Sequence, residues 1–128
     1  VLFRSAHLMH EERWRIDAET AGRLNASLAD GRRLVAVGTT SVRTLESAWD
    51  PAARRLRSGM ERTRLFIRPG HHAFGAVGAM ITNFHLPKST LLMLVSTFAG
   101  VELTREAYAV AIREGYRFYS YGDGMLIL

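Results

Sequence analysis

The organisation of this chain follows from one stretch, Ile81-Thr-Asn-Phe-His-Leu-Pro-Lys-Ser-Thr-Leu-Leu-Met-Leu-Val-Ser96. Its polar elbow, residues 82–90, holds an amide, an imidazole, an ammonium group and three hydroxyls. Polar groups at this density beside apolar sequence are typical of a site presented by a rigid scaffold. The alternative interpretation is a helix entrance that serine and threonine side chains merely cap.

The apolar run after the elbow predicts a buried helix. Residues 91–99 are apolar on nearly every helical face, which indicates burial on all sides. Ser89 or Thr90 is expected to cap this helix and Gly100 to end it. A further helix is expected to follow, capped by Thr104.

The rest of the chain alternates short strands with helices. Residues 34–37 are apolar without alternation, which favours a buried parallel strand, and Gly38 with three hydroxyl residues then leads into a helix. Asp17 is expected to cap an earlier helix. Further strands are predicted at 14–16, 64–67, 79–81, 116–121 and 125–128, with 51–63 as an exposed connection. The alternation predicts an α/β layered domain with a mostly parallel sheet.

Composition narrows the function classes. The chain has 128 residues, 48% hydrophobic and 23% charged, as expected of a soluble globular domain. No apolar run approaches the roughly 20 residues that cross a bilayer, and no signal-peptide pattern is present, so a cytoplasmic location is predicted. The absence of cysteine excludes disulfides, thiolate catalysis and cysteine-ligated metals.

The charge balance points to an anionic partner. The formal net charge is +5, which favours nucleic acid, although the basic residues are scattered among acids. Lys88 is the only lysine and lies in the elbow, where a compact ammonium group differs chemically from a guanidinium.

Three polar clusters follow predicted strands, where α/β folds collect their binding sites. They are His10 with Glu12; Thr39, Thr40 and Ser41 with Arg43 and Glu46; and Asn83 and His85 with Lys88, Ser89 and Thr90. The turn after Gly38 lacks the glycine pattern of a P-loop or a dinucleotide fingerprint. It suits a phosphate, a carboxylate or ribose hydroxyls, or is simply a capped tight turn.

Individual residues in these clusters allow more than one role. His85 is a candidate general acid or base, or a turn-shaping histidine. Lys88 suits a carboxylate or phosphate, or is a solvated loop residue. Arg43 and Glu46 lie three apart on one helix and are interpreted as a structural ion pair. Asp123 lies between glycines, where it either accepts from ribose hydroxyls or stabilises a turn.

No metal site is predicted. His71 and His72 are adjacent, and neighbouring side chains point apart in an extended chain.

Four motifs together resemble one family. They are His7-Leu-Met-His-Glu-Glu12, Val37-Gly-Thr-Thr-Ser-Val-Arg-Thr-Leu-Glu46, Thr82-Asn-Phe-His-Leu-Pro-Lys-Ser-Thr-Leu-Leu-Met-Leu-Val-Ser96 and Tyr116-Arg-Phe-Tyr-Ser-Tyr-Gly-Asp-Gly-Met-Leu-Ile127. In content, order and spacing they resemble the S-adenosylmethionine:tRNA ribosyltransferase-isomerases of queuosine biosynthesis. The resemblance covers the chain after Ala6.

The resemblance also implies a domain assignment. We expect residues 7–128 to be the C-terminal part of the larger α/β domain of a two-domain enzyme. Residues 1–6 are expected to be a non-native end, because a common sequencing adapter encodes the sequence Leu2-Phe-Arg-Ser5.

The resemblance implies an enzyme that uses S-adenosylmethionine as a ribosyl donor. The ribosyl moiety goes to an aminomethyl-deazaguanine at the wobble position of a queuosine-type tRNA, giving epoxyqueuosine while adenine and methionine leave. S-adenosylmethionine is then a co-substrate, and no permanently bound cofactor, metal or membrane is implied. The full-length protein is expected to be a monomer.

The same resemblance assigns roles to the polar clusters. The expected acid–base residues are His10, Glu12 and His85. The residues expected to bind the donor or the nucleotide are Thr39, Thr40, Ser41, Arg43, Asn83, Lys88, Ser89, Thr90 and Asp123. Two positions depart from the family pattern, because Gly78 stands where aspartate is common and Gly124 where alanine is common.

Two other functions fit the residues themselves. One is a noncatalytic RNA-binding α/β module, in which the basic charge is the function. The other is a different α/β transferase with a nucleotide ligand.

Overall fold

The structure is a computed structural model that describes residues 10–128. The predicted non-native end at 1–6 and the first motif residue, His7, lie outside the described residues. The described part forms four helices and seven strands. In chain order these are β1 Glu12–Ile16, α1 Ala18–Ala29, β2 Leu34–Val37, α2 Thr39–Ala48, β3 Trp49–Asp50, β4 Arg55–Leu56, β5 Gly59–Thr63, β6 Val77–Asn83, α3 Thr90–Ala99, α4 Val101–Arg113 and β7 Gly124–Ile127.

A three-stranded mixed sheet forms the centre, in the order β2-β6-β7. Strand β2 runs parallel to β6, and β7 runs antiparallel to it on the other side. Two antiparallel ribbons, β1-β5 and β3-β4, complete the strand pairing among the described residues. The α/β fold class is therefore confirmed, but the sheet is mixed rather than mostly parallel: among the described strands only β2 and β6 pair in parallel.

The helices begin where polar side chains satisfy free backbone N–H groups. Asp17 caps α1, its carboxylate accepting from the Thr20 amide at 2.8 Å. Ser89 caps α3, its hydroxyl accepting from the Leu92 amide at 3.1 Å. Both caps were predicted from the sequence, whereas the predicted cap at Thr104 is wrong. Helix α4 begins at Val101 after Gly100, so Thr104 lies inside its first turns and its hydroxyl donates to the Gly100 carbonyl.

One face of the central sheet is buried and the other is exposed. Ala36 and Met80 point into a core that includes Val42 of α2 and Leu94 of α3. The opposite face carries apolar side chains that are largely exposed: Val35, Val37, Ile81 and Leu126. We call this set the open apolar face.

Three strand predictions were wrong. Residues 64–67 and 116–121 are not strands, and the supposed connection at 51–63 contains β4 and β5. Ile67 is nevertheless buried in the core, so its apolar segment packs without a strand ladder. Strand β5 is exposed and pairs with β1, which its own sequence does not signal.

Candidate functional site

Two of the three predicted polar clusters, the hydroxyl turn and the elbow, meet at one edge of the central sheet together with Asp123. The carboxyl ends of the parallel strands β2 and β6 lie side by side, with Val37 opposite Ile81. The Gly38 amide continues this pairing by donating to the Ile81 carbonyl at 2.8 Å. The antiparallel strand β7 begins at the same edge, with Gly124 opposite Asn83. The hydroxyl turn at 39–41, the elbow and Asp123 therefore converge, as expected for an α/β site.

His85 is held at this edge by two hydrogen bonds. Its Nε2 lies 2.8 Å from the hydroxyl of the buried Thr82, and its backbone N–H donates to the Tyr108 hydroxyl at 2.9 Å. Burial lowers the pKa of His85 below its ordinary value of 6.5. The neutral imidazole is therefore the prevailing form at pH 7, which leaves a ring nitrogen able to accept a proton.

Tyr108 belongs to an aromatic cluster that supports the elbow. Its ring packs edge-to-face on Phe84 and on Phe118, with centroids 5.4 and 5.8 Å apart. Burial raises the pKa of Tyr108, although the hydrogen bond from the His85 amide acts in the opposite direction. The phenol thus stays protonated. Neither Thr82 nor Tyr108 was predicted from the sequence as a neighbour of His85.

The rest of the elbow presents polar groups around the start of α3. Lys88 is exposed and adopts a left-handed backbone conformation, with φ of 62°. Such a conformation is uncommon for a residue with a Cβ, and uncommon backbone conformations of this kind cluster at functional sites. Ser89 is committed to capping α3, which confirms the structural alternative for its hydroxyl oxygen. Asn83 is exposed at the end of β6, and Thr90 begins the helix.

The hydroxyl turn forms the N-terminus of α2. Gly38, with φ of 93°, supplies the sharp turn from β2, a conformation that glycine adopts without steric cost. In the described structure no side chain caps this helix, so the first N–H groups and the hydroxyls of Thr39, Thr40 and Ser41 lie at its positive end. Such an end favours an anionic or hydroxyl-bearing ligand.

Arg43 is buried one turn further along α2, and its side chain is committed to two partners. Its Nη1 lies 2.5 Å from the Glu12 carboxylate, and its Nε and Nη2 donate to the Leu65 carbonyl at 3.3 and 2.9 Å. The pair predicted between Arg43 and Glu46 is wrong, because the helix turns the two side chains to different partners. Glu12 thus lies beside α2, whereas His10 is exposed before β1.

Glu46 is a buried structural carboxylate. It accepts from the backbone amides of Gly75, Ala76 and Val77 at 2.8–3.0 Å, and its Oε1 lies 2.8 Å from His72 Nε2. These bonds fix the segment that enters β6. Gly75 fits there because a Cβ would overlap the indole of Trp49.

Asp123 stabilises the turn before β7 by accepting from the Arg117 amide at 2.6 Å.

Gly78 and Gly124, the two positions that depart from the family pattern, lie in different places. Gly124 is at the site edge, where a Cβ would approach the Thr82 carbonyl to 3.0 Å. Gly78 lies near the opposite end of β6, where a Cβ would meet the side chain of Arg33.

Within residues 10–128 no group of three or more histidine, aspartate or glutamate side chains is arranged to hold a metal ion. None of the helices described is both long and apolar enough to cross a membrane.

Hydroxyl, amide and imidazole groups gathered at the carboxyl ends of two parallel strands are the arrangement in which α/β domains place their ligand sites. A family model described as "Queuosine biosynthesis protein" matches residues 3–127, and the chain belongs to that family. This confirms the resemblance read from the four motifs.

Two relatives and one solved structure define the similarity. The chain is 57% identical over 122 residues to the S-adenosylmethionine:tRNA ribosyltransferase-isomerase of an Anaeromyxobacter dehalogenans strain. It is 58% identical over 122 residues to the protein of that name from a Methylorubrum extorquens strain. These alignments cover 95% of this chain, but 34% and 33% of the relatives. The crystal structure of an S-adenosylmethionine tRNA ribosyltransferase from Thermotoga maritima superposes with a TM-score of 0.77 at 47% identity, over 92% of this chain and 40% of that one.

Proposed function

We propose that the protein to which this chain belongs is an S-adenosylmethionine:tRNA ribosyltransferase-isomerase. The observation that carries the proposal is the 57% identity, over 95% of the chain, to a relative of that name. The convergence of the hydroxyl turn, the elbow and Asp123 at one sheet edge supports it, because a large nucleoside substrate needs polar groups from several loops.

The proposed reaction transfers the ribosyl moiety of S-adenosylmethionine to the aminomethyl group of a deazaguanine at the tRNA wobble position. Epoxyqueuosine forms, and adenine and methionine leave. The positive sulfonium acidifies the neighbouring 5′-carbon, so a base that removes a proton there opens a route to loss of adenine. The site must therefore supply a proton acceptor, a proton donor and groups that orient the donor.

His85 is the best-placed acid–base group in this proposal. Its Nε2 is engaged by Thr82, and within residues 10–128 its Nδ1 has no hydrogen-bonding partner. If the Thr82 hydroxyl accepts from Nε2–H, Nδ1 carries the lone pair that removes the proton. Burial favours this neutral form by lowering the pKa of His85.

The other residues bind and orient the substrates. The hydroxyls of Thr39, Thr40 and Ser41 and the first amides of α2 suit the methionine carboxylate or the ribose. Asp123 uses Oδ2 for the Arg117 amide, which leaves Oδ1 for a ribose hydroxyl. In this proposal Asn83, Lys88 and Thr90 contact the tRNA or the donor, and Ser89 does so by donating its O–H, since its oxygen accepts from the Leu92 amide. Glu12 remains an acid–base candidate, and its carboxylate is held by Arg43. His10 also remains an acid–base candidate, although it lies outside the central sheet.

S-adenosylmethionine is a co-substrate in this scheme, and the RNA partner is a queuosine-type tRNA. The scheme requires no permanently bound cofactor or metal. A cytoplasmic monomer is the setting that we propose for the full-length protein.

The test is turnover by the full-length protein carrying His85→Ala. Adenine release and epoxyqueuosine in the tRNA, both followed by mass spectrometry, are expected to fall by at least about 100-fold, a typical contribution of a general acid or base. His71→Ala is the matched control, because His71 is exposed in a loop before β6. Near-normal turnover of His85→Ala would remove His85 from the mechanism. A wild-type protein that binds tRNA but neither binds S-adenosylmethionine nor releases adenine would instead be a noncatalytic RNA-binding module.

A further inference from the structure

Three exposed tyrosines lie between α4 and β7, and two of them, Tyr119 and Tyr121, are in ring contact with each other. Tyr119 is 45% exposed and Tyr121 is 68% exposed. Their ring centroids are 6.0 Å apart, with the ring planes at 81° to each other. We call Tyr119 and Tyr121 the tyrosine pair. Two exposed aromatic rings in contact form a contiguous apolar patch, and such patches mark interaction sites.

The segment that carries the tyrosine pair is hydrogen-bonded to the candidate site. The Tyr119 amide donates to the carbonyl of Phe84, the residue before His85, at 2.9 Å. On the other side of the pair, Asp123 accepts from the Arg117 amide and leads directly into β7. Both ends of the segment are therefore anchored at the sheet edge where the polar clusters meet.

Aromatic packing supports the segment that carries the pair. Phe118 stacks on Phe84 with centroids 5.2 Å apart and ring planes at 28°. Tyr119 adopts a left-handed backbone conformation, with φ of 59°, which is uncommon for a bulky residue. This conformation turns the chain directly after the partly buried Phe118, and the Tyr119 ring contacts Tyr121. Pre-organised rings of this kind bind with little loss of conformational freedom.

Positive charge borders the same segment. Lys88 and Arg105 line the groove whose wall is Phe118. Arg117 lies within the segment, its Nη1 3.4 Å from the Tyr121 carbonyl. Aromatic faces bordered by cations are the combination that binds unpaired nucleobases and their phosphates.

We propose that the tyrosine pair stacks an unpaired base of the tRNA anticodon loop and so positions the wobble nucleotide at the site. The inference rests on the proposed function for the identity of the RNA. Bases in a loop expose their π-faces, which paired bases do not, so the platform selects the loop over the stems. Arg117 and Lys88 contribute attraction to the loop phosphates, which carries no sequence preference.

The experiment measures tRNA affinity in the full-length protein without S-adenosylmethionine, at fixed salt concentration. Tyr121→Ala is expected to raise the Kd for tRNA by roughly fivefold to 150-fold, the range that base–aromatic stacking spans. Tyr121→Phe and Tyr121→Trp keep a ring and are expected to stay within about twofold of wild type. The matched control is Met60→Ala, which removes an equally exposed apolar side chain (71%) from β5.

Three outcomes would overturn the proposal. One is an unchanged tRNA Kd in Tyr121→Ala. Another is a rise in the Kd for S-adenosylmethionine alone, which would mean that the rings hold the donor's adenine. The third is a loss of thermal stability in Tyr121→Ala that Tyr121→Phe does not show, because the ring would then serve packing within the protein. Adenine release by the wild type tests the proposed function separately, since the binding measurement needs no turnover.

Discussion

Glu46→Ala should destabilise the protein strongly although Glu46 touches no part of the candidate site. The carboxylate accepts from three backbone amides, and two of them, those of Ala76 and Val77, are buried. Removing the acceptor leaves these two N–H groups without a partner where water does not reach. The Gly75 amide belongs to an exposed residue, so water replaces that bond.

The magnitude follows from the two buried amides. An unsatisfied buried donor costs about 1–3 kcal/mol, so the pair predicts a loss of about 2–6 kcal/mol. This is a large share of the roughly 5–15 kcal/mol that stabilises a typical domain. Glu46→Gln should lose less, because the amide keeps one oxygen acceptor but turns an NH₂ group toward a donor.

Urea unfolding of the full-length protein measures the loss, and hydrogen exchange locates it. The amides of Ala76 and Val77 should lose protection first, since they enter β6 at the affected point. Thr44→Ala on the same helix is the control and should change stability by no more than about 0.5 kcal/mol. Equal stability of Glu46→Ala and Thr44→Ala, or unchanged exchange at the two amides, would refute the reasoning.

Three further predictions concern the site and its frame. Burial lowers the pKa of His85, so the unfolded state binds a proton more readily than the folded state. The contribution of His85 to stability is therefore complete above the ordinary pKa of 6.5 and declines as the pH falls below it. His85→Gln should flatten that decline in unfolding curves recorded on both sides of pH 6.5. Arg43→Lys should lower the free energy of unfolding in urea by about 1.5–3 kcal/mol, because an ammonium group does not reproduce the contacts of the guanidinium with Glu12 and the Leu65 carbonyl. Glu12→Gln should lower it less, since Glu12 is half-exposed. Equal losses in the two variants would contradict this reasoning. Gly75→Ala should destabilise the protein by about 1–3 kcal/mol in thermal unfolding, because the new methyl group displaces the Trp49 indole that it would overlap. Gly22→Ala lies in open space on α1 and should instead stabilise it by about 0.5–1 kcal/mol.

Local rules predicted much of the fold. The parallel strand at 34–37 and the caps at Asp17 and Ser89 each rest on a signal within a few residues, and all three were found. The predicted burial of that strand is wrong in part, because Val35 and Val37 are exposed on the open apolar face. The failures depend on distant partners. Strand β5 is paired with β1, which is distant in sequence, and at residues 64–67 the Leu65 carbonyl accepts from the side chain of Arg43 rather than from a neighbouring strand.

The candidate site divides in the same way. Convergence of the hydroxyl turn with the elbow follows from parallel pairing of β2 with β6, which the alternation of strands and helices indicates. The contact between His85 and Tyr108 does not follow, because it joins residues 23 positions apart through the packing of α4 on the elbow. Sequence patterns report which groups are present, whereas tertiary packing decides which of them meet.

The open apolar face of the central sheet restricts the proteins into which residues 10–128 could be recombined. Val37, Ile81 and Leu126 lie side by side on neighbouring strands and are 66%, 41% and 60% exposed in the described structure. A layered fold requires a second layer on such a surface. A recombination event that moved residues 10–128 into another gene would therefore move the requirement for a complementary apolar layer with them, and only a recipient that encodes such a layer would yield a stable protein.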